Sequence, residues 1–192
     1  MKKVLRDNGL SIVLILLFLL FWFGQAITGY HVHADDQRLH GQPSGSFGHY
    51  LTTGHFWGAT GENWESEFLQ MGFYVVLTSF LYQRGSAESN DPDEPESPKK
   101  NALARSTGFL RRNSLSLALL ALFLAAFCIH ASGGYQEYNE ELAQEGQPLL
   151  TFGGFLTSAE FWFQSFQNWQ SEFLAVLAIV LLTITLRQHG SP

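Results

Sequence analysis

NWESEFL, residues 63–69, recurs as NWQSEFL at residues 168–174, 105 positions later. Each copy stands at the head of an apolar run. Sliding the chain against itself by 105 residues, without a gap over residues 5–86, gives 34 identical pairs in 82. Unrelated stretches of ordinary composition would match at roughly one position in fifteen. Many of the matches are polar or small, so shared apolar content does not explain them. They include RDNGLS against RRNSLS, GQP at 41–43 and 146–148, FGHYLTTGHFW against FGGFLTSAEFW, and QRGS against QHGS. The sequence reads as a tandem duplication of one unit.

The chain has 192 residues, of which 46% are hydrophobic and 15% charged, against about 25% charged in ordinary soluble domains. The apolar residues are segregated. LSIVLILLFLLFWFGQAI (10–27) carries no charge, and LSLALLALFLAAFCIHA (115–131) has only Cys128 and His130 as ionisable groups. Chargeless runs of about 18 residues are long enough to cross a hydrocarbon core of about 30 Å as helices. Both are apolar all round, which suits lipid or a bundle interior. The start MKKVLR with GQA at 24–26 has the marks of a cleavable signal peptide. Against that, the apolar stretch exceeds the usual h-region, and its counterpart lies mid-chain. The single cysteine, Cys128, excludes an intramolecular disulfide and reads as a small buried hydrophobe. A net charge of −6, with no basic patch interleaved with aromatics, argues against nucleic acid.

Each copy holds a second apolar run, at 68–82 and 173–186. As helices these would be roughly 21–23 Å long, too short to span alone. Counting back about 20 residues from Arg84 and Arg187 brings each NW motif into the first turns of a span. The expected fold is an all-α membrane protein with four transmembrane helices. These come from two copies of a two-helix unit, related by a pseudo-two-fold axis along the membrane normal. Residues 1–86 form the first copy, with spans at about 9–29 and 64–83. Residues 105–192 form the second, with spans at about 114–133 and 168–187. The Pro-, Ser- and acid-rich stretch 87–104 is expected to be a disordered cytoplasmic linker. Of 11 basic residues only Arg38 lies in the other two loops, which puts both termini in the cytoplasm. Trp162, Phe166, Trp169 and Phe173 recur at helical spacing. That stripe is expected as an interfacial aromatic helix on the outer side, or as a long N-terminal extension of the span.

Within that frame, Glu67 and Glu172 are candidates for a cation or proton site. A carboxylate at the edge of hydrocarbon must face the interior, find a partner or take up a proton. Asn63 and Asn168, four residues earlier, share their helix faces and could bond them. Helix-start capping is the competing account of the same residues. Trp57, Trp64, Trp162 and Trp169 read as interface anchors. His31, His33, His40, His49 and His55 all fall in the first outer loop. Their counterparts Gln136, Tyr138, Glu145, Gly154 and Glu160 are not histidine. With no CxxC or HExxH beside them, no metal site is expected. His130 takes the place of Gln25, and the first span has no histidine, so no haem or other cofactor is expected. No nucleophile–base pair, P-loop or dinucleotide motif is present.

The run NWESEFLQMGFYVVLTSFLYQRGSAESNDP, with RDNGLS at the start, resembles a bacterial family of small integral membrane proteins known as a domain of unknown function. The resemblance implies residence in the bacterial inner membrane and carries over no catalytic residue. The expectation is a non-enzymatic structural or interaction component of the bilayer, forming a homo-oligomer or joining another membrane protein. The alternative is an oligomeric carrier or channel for protons or small cations using Glu67 and Glu172.

Overall fold

The computed structural model describes residues 2–90, 93, 108–186 and 189. Most of the expected linker and position 187 lie outside the described residues. Among the described residues seven helices follow in order: α1 (Lys2–Leu39), α2 (Phe47–Tyr50), α3 (Gly54–Phe80), α4 (Phe109–Arg112), α5 (Ser114–Gln144), α6 (Phe152–Leu156) and α7 (Ala159–Leu182). All regular structure among the described residues is helical.

The helix ends follow from local chemistry. α1 and α5 run past the expected span limits at 29 and 133 because nothing stops them before GQP. Gly41 and Gly146 both sit at φ +69°, a left-handed conformation that favours glycine. Around them Gln42 N–H reaches the Gln37 carbonyl and Gln147 N–H the Leu142 carbonyl, each at 2.8 Å. This is a glycine C-terminal stop with proline two residues further on. The starts are capped at matching positions. Ser46 and Thr151 accept from the third residue on, as do Thr53 and Ser158 at the heads of α3 and α7. The aromatic stripes are therefore N-terminal extensions of α3 and α7, while the separate helices α2 and α6 are single turns.

The sequence predicts four spans. Among the described residues two helices, α1 and α5, have a window long and apolar enough to cross a membrane. α3 and α7 are long enough but carry polar residues through 62–67 and 164–172, so only their second halves are apolar. The apolar windows face outward, with 6% of the α1 window and 17% of the α5 window buried. Cys128, expected to be buried, is exposed on α5.

α3 is the central helix and packs on α5, α7 and α1. The α3–α5 crossing is close because glycines face it. A Cβ on Gly61 would lie 2.3 Å from the His130 backbone nitrogen, and one on Gly133 would lie 2.3 Å from that of Gly58. Two aromatic clusters seal the far end. One gathers Ala26, Tyr50 and Phe56, with Trp22 and Trp57 against it. The other gathers Ala131, Phe155 and Phe161, with Phe127 against it.

Candidate functional site: a buried glutamate–histidine pair

The deepest polar groups lie where α3, α5 and α7 meet. Gly58, Gly61 and Glu65 share the α3 face toward α5, at steps of three and four. The two glycines bring the backbones close enough for Glu65 to reach across. Its side chain is fully buried, and His130 is 1% exposed. Glu65 Oε2 lies 2.7 Å from His130 Nδ1. Glu65 Oε1 accepts from Trp169 Nε1 at 3.1 Å and Ser165 Oγ at 3.4 Å, both on α7. His130 Nε2 faces Gln164 Oε1 at 3.1 Å. The Gln164 amide is itself oriented by donating to Glu160 Oε1 at 3.0 Å.

Three polar groups converge on Glu65, and both nitrogens of His130 face oxygen atoms, the arrangement that suits a carboxylate paired with an imidazolium. Phe161 stacks on it at 4.9 Å and excludes solvent. Two further bonds extend the cluster. Buried Thr60 accepts from Gln25 Nε2 of α1 at 3.3 Å, and Asn168 donates to Glu62. α3 thus ties together the other three long helices.

Of the residues singled out by sequence, Glu67 and Asn63 are exposed, and Glu172 and Asn168 are half-buried. Glu172 is near enough to Glu67 to feel its charge, and no hydrogen bond between them is found among the described residues. Asn63 bonds back to the Ala59 carbonyl at 2.8 Å, and Asn168 turns to Glu62 and the Gln164 carbonyl. The tryptophans divide. Trp57 and Trp162 donate to the carbonyls of Leu51 and Leu156, each at 3.0 Å. Trp64 packs on Trp22 and Phe18 of α1, whereas its counterpart Trp169 is a ligand of the Glu65 carboxylate. Glu65, Ser165 and Gln164 were not singled out by sequence.

A second titratable cluster lies nearer the end of the bundle. Tyr50 Oη is 3.1 Å from His55 Nδ1, and His55 Nε2 is 3.9 Å from Glu137 Oε1. The His33 and His55 rings are 5.2 Å apart. Burial, then the Glu137 charge, pushes the Tyr50 hydroxyl up to about 12. Burial, then His33, holds His55 below the usual imidazole value, with Asp36 opposing. Among the described residues no three His, Cys, Asp or Glu side chains are placed to hold a metal ion.

The class so defined is an all-helical protein with two helices long and apolar enough to cross a membrane and a buried ion pair between its inner helices. The chain belongs to the family described as a domain of unknown function, DUF6766, which matches residues 1–192. No curated protein and no solved structure matches it.

Proposed function

We propose that this is a four-span, non-enzymatic protein of the bacterial cytoplasmic membrane, arisen by tandem duplication, with a structural or interaction role. In this reading the Glu65–His130 pair locks its helices into one arrangement. The carrying observation is that Glu65, fully buried, is bonded by side chains from two other helices. In lipid an ionisable residue is retained only when paired in the interior. The distribution of side chains supports membrane residence. Leu14, Leu16, Leu20 and Phe21 are exposed on α1, while Thr60, Glu65, Ser66, His130 and Ser165 are buried. That is the reverse of a soluble domain. The polar stretches of α3 and α7 that enter the bilayer, from about residues 64 and 168, would be shielded by α1 and α5. Matching caps, stops and Trp–carbonyl bonds 105 residues apart support the duplication.

Labelling single cysteines in a Cys128→Ser background tests the topology in intact cells. Ser44→Cys and Gln147→Cys should react with an impermeant maleimide from outside, and Ser89→Cys only after lysis. Labelling of only one of the two loop positions would overturn the four-span arrangement.

A second reading, a proton carrier, is favoured by the line from Glu160 through Gln164 and His130 to Glu65. Its site differs from the Glu67 and Glu172 site expected from the sequence. In proteoliposomes Glu65→Gln should abolish a pH-driven proton flux that Glu67→Gln with Glu172→Gln leaves intact. A parent protein without flux removes this reading.

A further inference from the structure

The glycine crossing that brings Glu65 to His130 also opens a cleft elsewhere. At Gly61 an added Cβ would meet the α5 backbone at 2.3 Å, whereas at Gly72, three turns on, the nearest atom is Leu119 Cβ at 3.9 Å. The two helices therefore diverge toward the start of α5. The gap is about 380 Å³ and almost entirely apolar, with Gly72, Val76, Phe109, Asn113, Ser116 and Leu120 among its lining. Its mouth is built by a break in the chain. Asn113 has non-helical backbone angles (φ −110°, ψ 16°) and bonds the Phe109 carbonyl at 2.8 Å, separating α4 from α5. The turn that places Phe109 in the cleft also carries Arg111 and Arg112. Both are exposed, and neither is in an ion pair among the described residues.

We propose that this cleft seats an acyl chain of an anionic phospholipid whose phosphate is held by Arg111 and Arg112. The apolar walls match a hydrocarbon chain, and the exposed guanidiniums on the same turn as Phe109 match a phosphate. Basic rims over interhelical gaps on the cytoplasmic side are suited to acidic headgroups. The rim lies on that side in the proposed topology. The proposal rests on the membrane reading, whose own test is the labelling pattern. Lipid selectivity can fail while that pattern holds.

The full chain, delipidated in neutral detergent, is titrated with phosphatidylglycerol or phosphatidylcholine of identical acyl chains. Retained lipid is counted by native mass spectrometry. One phosphatidylglycerol should be held in preference to phosphatidylcholine. Arg111→Gln with Arg112→Gln should weaken phosphatidylglycerol by about thirtyfold, the weight of two interfacial arginines, leaving phosphatidylcholine unchanged. Gly72→Leu, which fills the cleft, should weaken both. The arginines are exposed, so their replacement should leave the lipid-free melting temperature unaltered. Equal retention of the two lipids, or a preference that survives the arginine substitutions, would overturn the proposal. So would a dimer that Gly72→Leu dissociates, because the cleft would then hold a second copy.

Discussion

Glu65 occupies the single position at which NWESEFL and NWQSEFL differ. Its counterpart Gln170 is exposed and bonds the carbonyl of Gln167. His130 likewise replaces Gln25, which bonds Thr60 in the first copy. The pair thus draws one member from each half of the chain, at sites where the position 105 residues away carries an amide. Glu67 and Glu172 share the motif, but Glu67 is exposed, on a different face of α3 from Gly58, Gly61 and Glu65. The legible signal was instead a charge against an amide at two matched positions. That signal says nothing of which residues meet, because Glu65 and His130 are brought together by glycines on a helix face that the motif does not reveal. Outside the proposed spans, His55 offers a titration. Its folded form takes up a proton at lower pH than the unfolded chain, owing to burial and His33. Between those two values the unfolded chain binds more protons, so stability falls as pH drops below about 6.5. His55→Gln should lose less melting temperature than the parent between about pH 7.5 and 5. Tyr50, His33, Asp36 and Glu137 surround the site in both proteins. An unchanged pH slope would exclude His55 as a source.

At the scale of elements, the existence of the four long helices was legible and their ends were not. Apolar content marks where a helix can cross lipid, but helices end where backbone chemistry ends them. The GQP stops carry α1 and α5 about ten residues beyond the expected span limits, a rise of about 15 Å. The Thr53 and Ser158 caps start α3 and α7 well before theirs. The dominance of the α3–α5 contact was also hidden, since the proposed duplication treats both copies alike. The asymmetry lies in size: Gly58 and Gly61 of α3 correspond to Phe163 and Phe166 of α7. Only α3 can approach a neighbour that closely. Gly61→Leu should therefore destabilise the detergent-solubilised protein by roughly 1–3 kcal/mol or more through overpacking. Gly72→Ala, whose Cβ finds ordinary contact at 3.9 Å, should be neutral or stabilising by about 0.5–1 kcal/mol. Equal melting temperatures for the two variants would contradict the close crossing.

Across the whole molecule, an apolar exterior surrounds a polar and aromatic interior, and one charged pair lies at the hub of three helices. Breaking a buried pair by removing one partner typically costs about 3–5 kcal/mol, because the remaining charge is stranded. Removing both charges costs far less, and glutamine is the residue each copy already carries at the matched position. The account rests on this coupling, and a double-mutant cycle in thermal stability measures it most directly. Glu65→Gln and His130→Gln should each lower stability by about 3–5 kcal/mol. The double variant should recover at least about 1 kcal/mol relative to the worse single. Single losses that simply add in the double variant would show that Glu65 and His130 do not hold these helices together as a pair.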